Sequence, residues 1–371
     1  MKKTSRLREN PAIVGISASV LSILVGLLFG FLLLLMLNAK NALPGMANLL
    51  TTGASDPGNV LYRAAPLIMV GLSVAFAYKV GLFNIGASGQ YTVGTFLALF
   101  CAITLQLPWW VCLLAAAIGG AVWGLFPGLF KALFNVNEVL TSIMFNWIAM
   151  NLVNLIIPNV GGMLDSDWGS TASDRTAQLA NANPGAILPR AGLDKLFDYP
   201  YMNIGIFLAI ILAIVVWVVL NKTTFGYELK ACGHNRDASV YAGINAKRNI
   251  VLSMIISGAM AGIGGGFFYL AGGSQYTLVQ VVEAAGFDGI SVALLANCNP
   301  LGCIFSAVFL SYLRLGGNAM QSQGYATEAT EIVTSVIVYL AAFSLLIRMF
   351  LTGQLGGKKK HTKKVKKEGT K

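Results

Sequence analysis

Charge is scarce in this chain: Asp, Glu, Lys and Arg make up 11% of 371 residues, against about 25% in an ordinary soluble domain. With 56% apolar residues and a mean hydropathy of +0.69, that shortage excludes a water-soluble domain. Histidine is scarcer still. His234 and His361 are the only two, which argues against zinc centres and His-dependent hydrolytic triads. The five cysteines, Cys101, Cys112, Cys232, Cys298 and Cys303, are odd in number and four lie in or beside apolar segments. Neither a disulfide framework nor a metal site is expected, and Cys232, in a polar loop, is expected to be reachable by thiol reagents.

What is abundant is charge-free sequence, in runs over 11–39, 80–130, 139–164, 199–221, 249–282 and 289–313. A bilayer core takes about 20 apolar residues per helix, so the run of 51 residues from Val80 to Phe130 holds more than one crossing and divides at Pro108. The fold class expected is an all-α polytopic membrane protein with about ten transmembrane helices. They are placed at 12–38, 59–79, 86–105, 109–128, 138–157, 202–220, 249–271, 283–297, 300–317 and 329–349. The first apolar run far exceeds the apolar core of a secretory signal, about 7–15 residues, and is expected to stay as the first crossing. Ten crossings put both termini on one side, and 20 of the 26 Lys and Arg fall on that side against six on the other. The positive-inside rule makes that side the cytoplasm. Residues 158–200, with five aspartates and several Gly, Asn and Pro, then form an external loop.

Of the net charge of +11, residues 356–371 supply eight Lys against one Glu, a local +7, which leaves +4 for the rest. Nucleic-acid binding would want aromatic residues among the lysines, and this tail has none. Residues 351–371 are expected to be a disordered cytoplasmic tail attracted to anionic membrane lipid, and residues 1–11 a cytoplasmic N-terminus.

A faint internal repeat has consequences. GLFNIGASG (81–89) is similar to AGFDGISVA (285–293), and NEVLTSIMFNWIAMNL (137–152) aligns with TEIVTSVIVYLAAFSL (330–345) at Glu138/Glu331, Thr141/Thr334, Ser142/Ser335, Ala149/Ala342 and Leu152/Leu345. Members five crossings apart run in opposite directions, so the layout is an inverted repeat of one helix, four helices, one helix and four helices. Paired Gly-interrupted segments in inverted halves point to a transporter's substrate site, although membrane helices also share composition. In this register Asp288 mirrors Asn84 and is expected to cap a broken helix, while Arg314 snorkels to the outer surface.

Two groups of residues carry candidate function. Phe83, Asn84, Ser88, Gln90, Asn146, Trp147, Asn151 and Asp288 are candidates for a substrate passage, with Asn154 beside them. An amide next to an aromatic ring suits a ring-bearing polar substrate, but Asn146 and Trp147 point about 100° apart on a helix, and hydrogen bonding between helices is the alternative use for each Asn. Glu138 reads equally as a first-turn acid favoured by the helix dipole, and Gly264, Gly265 and Gly266 as close helix packing. The second group is the polar loop NKTTFGYELKACGHNRDASVYAGINAKR (221–248). It is expected to hold a short helix near 236–242, capped by Asn235 or Asp237 and ended by Gly243. Small residues Ala238, Ser239, Ala242 and Gly243, with Tyr241, would let a partner protein approach closely; a passive connector is the alternative.

TTFGYELKACGHNRDASVYAGI resembles the cytoplasmic coupling segment of bacterial ABC importer permeases of the branched-chain amino acid, ribose and nucleoside group. GLFNIGASGQ, VNEVLTSIMFNWI and GFDGISVALLANCNPLG resemble its nucleoside and simple-sugar branch, and the resemblance spans about Asn59 to Phe350. Ser239 departs from the family, which commonly has a second Ala there. The resemblance implies a permease subunit, not an enzyme, for nucleosides or else a simple sugar. It implies a bacterial plasma-membrane location, no cofactor in this chain, and ATP and Mg on a partner cytoplasmic ABC ATPase. The other implied partners are a second permease subunit and an external substrate-binding lipoprotein. No GxxxxGK[ST] phosphate loop occurs in the chain, so energy comes from another chain or from an ion gradient. A proton-coupled secondary transporter, with Glu138, Asp288 and Glu331 as proton carriers, is the rival reading, and a purely structural membrane subunit a third.

Overall fold

The computed structural model describes residues 11–343 and 347. Residues 1–10 and the basic tail expected at 351–371 lie outside them. Thirteen main helices follow one another: α1 Pro11–Asn38, α2 Ala42–Ser55, α3 Pro57–Tyr78, α4 Ala87–Leu99, α5 Trp109–Phe134, α6 Glu138–Ile156, α7 Gly205–Lys222, α8 Thr224–His234, α9 Arg236–Tyr241, α10 Ala246–Tyr269, α11 Ala284–Leu295, α12 Pro300–Ala319 and α13 Thr327–Ala342. Each of the ten expected segments falls on a helix among the described residues, the last as far as Ala342. Seven stretches, Val20–Asn38, Pro57–Tyr78, Trp109–Phe134, Glu138–Asn159, Gly205–Lys222, Ala246–Tyr269 and Pro300–Gln323, are long and apolar enough to cross a membrane on their own. Together they make this a multi-pass membrane protein. The others fall short for visible reasons: α4 gives way to a π-helical turn at Phe100–Thr104, and α11 has 12 residues.

Two helices form the centre. Asp56 caps α3 by accepting from the Asn59 N–H, Pro57 pre-sets its first turn, and every residue from Ala64 to Ala77 is buried. A helix apolar all round has no solvent face to offer. Helix α10 is the other, and its three consecutive glycines show how it serves as a hub. Successive positions step about 100° around a helix: Gly264 meets Pro66 and Val70 of α3, Gly265 meets Tyr91 and Thr95 of α4, and Gly266 meets Leu113 and Ala116 of α5. A second glycine seam joins α5 to α10, where a Cβ on Gly258 would sit 2.2 Å from the Gly120 carbonyl oxygen. Backbones this close leave room for no side chain.

Contacts divide the chain into two units, residues 1–43 with 325–371, and Pro44–Gly324. In the first, α1 lies against α13: Gly26 abuts Ile337, Ser22 Oγ donates to the Ala341 carbonyl at 3.2 Å, and Tyr325 Oη donates to the Asn38 carbonyl at 3.0 Å. The second unit holds the remaining helices around α3 and α10.

Several expectations are corrected. Helices α2 and α8 were not anticipated, and α5 continues six residues beyond its expected end at 128, closing where Asn135 turns left-handed (φ 52°). The 158–200 segment is built rather than merely solvated. It has short helical turns at Asp165–Trp168, Leu179–Ala182, Pro184–Ala186 and Leu193–Leu196, and single bridges Leu164 to Thr176 and Arg175 to Thr277. Asn183 anchors it by donating to the Ala102 and Leu107 carbonyls at 2.9 and 3.1 Å. The segments 81–89 and 285–293 do not share a local structure: the first is an irregular break entering α4, while the second lies within α11. Asp288 is therefore in the second turn of a helix whose N-cap is Glu283, and caps nothing.

Candidate functional site

Between α3 and α4 the chain leaves the helix at Lys79, turns through Gly81 (φ 77°) and re-enters at Ala87. Inside this break Asn84 is fully buried. Its Nδ2 lies 2.8 Å from Gln90 Oε1, 2.7 Å from Ser257 Oγ and 3.1 Å from Ser73 Oγ, and its Oδ1 accepts from Gln90 Nε2 at 3.2 Å. Both amides are spent within a network joining α3, α4 and α10, as the interhelical alternative requires. Asn146 does related work from α6: its Oδ1 accepts the Gly89 N–H at 2.8 Å and its Nδ2 donates to the Ile85 carbonyl at 3.0 Å. One side chain thus satisfies backbone groups on both sides of the helix start. Ser88 Oγ and Ser142 Oγ are buried beside it without a hydrogen-bond partner among the described residues.

Trp147, next in sequence, points elsewhere and is 51% exposed. Asn151 and Asn154 follow at spacings of four and three on the same face of α6. Asn151 donates to the Trp147 carbonyl at 2.9 Å, and Asn154 donates across to the Val279 carbonyl at 2.8 Å. Trp147 faces a cavity of about 310 Å³ with Ile143, Asn146, Gln280, Val281, Val282 and Phe287. Phe83 lines a different, larger cavity of about 830 Å³, with Lys79, Leu82, Lys230, His234 and Asn297 among its walls. The expectation that Phe83, Asn84, Asn146 and Trp147 share one passage is corrected to this extent: Phe83 and Trp147 open into separate cavities, with Asn84 buried between helices. The larger cavity lies beside the 221–248 segment and the smaller beside 277–282, which pairs with Asp174 and Arg175 of the 158–200 segment.

Two of the three charged candidates are ion-paired: Asp288 with Arg314, whose side chain is part-exposed, and Glu138 with Lys131 at 2.9 Å. Glu331 is exposed.

The 221–248 segment has the expected helix at α9. Asn235 is its cap, accepting from the Ala238 N–H at 3.0 Å, and Gly243 ends it at φ 83°. Asp237, Ala238, Tyr241, Ala242 and Gly243 are exposed, Tyr241 at 94%. Ser239 is corrected: it is buried, with Oγ on the Arg236 carbonyl at 2.7 Å and near Cys232 Sγ at 3.4 Å, so it faces inward rather than towards a partner. Cys232 is buried under it, contrary to the expected accessibility. Preceding α9, helix α8 backs onto the break, where a Cβ on Gly233 would meet the Lys79 carbonyl oxygen at 2.3 Å.

Sequence reasoning missed the 272–283 segment, which carries no motif. It supplies Gln280, Val281 and Val282 to the smaller cavity, and Glu283, whose Oε1 accepts from Tyr269 Oη at 2.8 Å. Tyr269 meets Tyr91 edge-on (6.4 Å between ring centres) and lies tilted against Tyr276 (5.9 Å).

Two central helices, a glycine seam between α5 and α10, a broken helix pair and a capped surface helix place the chain among the polytopic α-helical membrane proteins. Over residues 57–342 the chain matches the family described as branched-chain amino acid transport system / permease component, and it belongs to that family. It is similar to the guanosine ABC transporter permease protein NupP of Bacillus subtilis, 37% identical over 80% of this chain and 84% of the relative. It is also similar to the nucleoside ABC transporter permease protein NupB of Lactococcus lactis subsp. cremoris, 34% identical over 90% and 93%. The glucose ABC transporter permease protein TsgB13 of Haloferax volcanii is 28% identical over 93% and 92%. No solved structure matches the chain significantly.

Proposed function

We propose that this chain is a permease subunit of an ATP-driven importer for nucleosides. The observation that carries the reading is near full-length similarity to permeases named for guanosine and nucleosides, at 37% and 34% identity. The glucose permease favours a simple sugar as the second reading, at 28%. The aromatic walls of the smaller cavity, Trp147 and Phe287, favour the nucleoside, because a base offers a π-face and a hexose does not.

The chain crosses the membrane ten times as an inverted repeat in which α3 to α6 correspond in sequence order to α10 to α13, with α1 and α7 preceding each half. Reciprocal packing supports this: α3 packs on α11 and α12, α10 packs on α4 and α5, and α3 packs on α10. Both termini and the 221–248 segment are cytoplasmic, as the distribution of Lys and Arg supports, and 158–200 is external. Asn235, Asp237, Ala238, Tyr241, Ala242 and Gly243 form the coupling surface for a separate cytoplasmic ATPase that binds ATP and Mg. Its stroke reaches the break through α8, where Gly233 lies against Lys79, and then through Leu82 and Phe83 to Asn84. Such coupling works only if the ATPase contacts two conformations differently. Ser88 and Ser142 support a second conformation, since a buried hydroxyl left unpaired costs about 1–3 kcal/mol and another packing would engage it.

The passage runs along the Trp147, Asn151, Asn154 face of α6, against a second permease subunit. Amides exposed to lipid are costly, so this face is turned to protein or to a watered path. Phe83 lines the separate cavity beside the 221–248 segment, Asp288 holds α11 to α12 through Arg314, and an external binding lipoprotein delivers cargo to the 158–200 side. The assembly sits in the plasma membrane.

Purifying the chain with its assembled partners and identifying the subunits tests this reading. An ATPase and a second permease are expected. A chain that purifies alone and moves substrate on a proton gradient overturns it.

A further inference from the structure

The larger cavity is put to no use by the passage along α6. Its walls come from the end of α3 with the break that follows, the end of α7, helix α8, and the turn from α11 into α12. What distinguishes it is charge of one sign. Lys79, where α3 ends, and Lys230, on α8, both line it, and no Asp or Glu does among the described residues. Both lysines are half-buried, and neither is in an ion pair among those residues. Lys230 Nζ donates to Asn221 Oδ1 on the same wall at 2.9 Å, a neutral partner that positions the ammonium without cancelling its charge. Helix α12 adds to the field, since its cap Asn299 and first residue Pro300 also line the cavity. Asn299 Oδ1 accepts from the Leu301 and Gly302 N–H groups at 3.0 and 3.4 Å, so the helix contributes its dipole and not those donors.

Like charges gathered in a cleft with low-dielectric walls focus the field and concentrate an anion there. An ammonium, with three donors and no acceptor, binds phosphate as a point charge. The other walls say what the anion carries. Tyr78 and Phe83 present rings, on which a base or an acyl stem can rest, and the exposed Asn297 offers an amide. At about 830 Å³ the cavity falls in the upper part of the range of roughly 300–1,000 Å³ for small-molecule sites.

We infer that this cavity is a binding site for a phosphate ester, with Lys79 and Lys230 as its counter-charges. The distribution of Lys and Arg places it on the cytoplasmic side, where two sources share that chemistry: a nucleoside 5′-phosphate and the headgroup of an anionic phospholipid, the usual occupant of basic pockets between membrane helices. One lysine belongs to the break and the other to α8, whose Gly233 already lies against the Lys79 carbonyl oxygen. A bound phosphate therefore ties α8 to the break and slows transport. This consequence rests on the coupling route proposed above; the site itself does not.

The test is binding of labelled guanosine 5′-phosphate to the whole complex, delipidated, placed in phosphatidylcholine nanodiscs, and with its ATPase sites filled beforehand by a non-hydrolysable ATP analogue. The expected result is saturable binding that weakens about tenfold in Lys79→Gln and in Lys230→Gln, each of which removes one charge-assisted contact. Lys222→Gln, an exposed lysine on the same segment that does not line the cavity, leaves it unchanged. Guanosine, without the phosphate, does not compete. Displacement of the nucleotide by phosphatidylglycerol in the disc identifies the lipid headgroup as the resident ligand, and failure to displace identifies the soluble ester. Equal binding in all four chains, or equal weakening in Lys222→Gln, overturns the site. Absence of binding to the unaltered complex overturns it too, and a carbodiimide cross-link from Lys230 to a carboxylate of the ATPase then assigns the cavity to a protein partner. Added on the ATPase side of proteoliposomes, the same ester slows uptake by the unaltered complex; binding without slowing overturns the regulatory consequence alone. Binding is read without cargo, so a complex that transports another substrate leaves this site standing, and a failed site leaves the nucleoside reading standing.

Discussion

Replacing Asn146 by alanine removes two hydrogen bonds at once, to the Gly89 N–H at 2.8 Å and the Ile85 carbonyl at 3.0 Å. Asn146 is 2% exposed, and Gly89 is buried. Leaving a buried backbone group unpaired costs about 1–3 kcal/mol, and two of them put the loss at about 2–6 kcal/mol. The loss falls on the entry into α4, so the Asn84 network loosens with it. Asn151→Ala is the counterpart on the same helix. Its amide bonds only the carbonyl of Trp147 one turn back, and an exposed change of that kind costs within about 0.5 kcal/mol. Thermal unfolding of the purified complex, followed alongside uptake, separates them. Asn146→Ala lowers the midpoint by several degrees and lowers uptake with it. Asn151→Ala leaves the midpoint in place and lowers uptake, because it lies on the face assigned to the passage. Equal midpoints for both variants would refute the division of α6 into a structural and a passage face.

Gly258→Val forces α5 and α10 apart, since even a Cβ would lie 2.2 Å from the Gly120 oxygen; a loss of about 1–3 kcal/mol is expected from overpacking, and an unshifted unfolding midpoint would contradict the seam. Gly243→Trp meets no atom within 4 Å of its Cβ but must adopt φ 83°. Folding then loses on the order of 1–2 kcal/mol, membrane insertion is normal, and uptake is abolished; normal uptake at equal protein level would remove Gly243 from the coupling surface. With the five native cysteines replaced, Tyr241→Cys labels from the cytoplasm and Ser170→Cys from outside, and labelling of both from one face would overturn the topology.

The helices were legible because lipid demands long apolar runs and this chain interrupts them with Gly, Pro and charge at visible places such as Pro108 and Gly81. The cap of α9 was legible because capping is local: Asn235, Gly243 and the seven residues between determine it. Helix α8 escaped notice because TFGYELKACGH is polar and mixed, and its backing onto Lys79 joins residues about 150 apart. Ser239 was misplaced for a related reason. A small residue on a short helix fits an inward or an outward face, and only contact with Cys232 decides. Helix geometry sets Asn146 and Trp147 apart, yet both border the smaller cavity, the amide with its hydrogen bonds spent on backbone partners. The 272–283 segment was invisible for want of any motif, since Gln280, Val281 and Val282 matter only through a cavity they share with Trp147 of the distant α6.

The most direct test of the central claim is uptake into proteoliposomes bearing the whole complex, with labelled guanosine, ATP inside the nucleotide-binding compartment, and unlabelled competitors. Guanosine is expected to accumulate only when ATP is hydrolysed, to be displaced by other nucleosides, and to ignore ribose and glucose. Glucose or ribose uptake with no movement of guanosine would contradict the account.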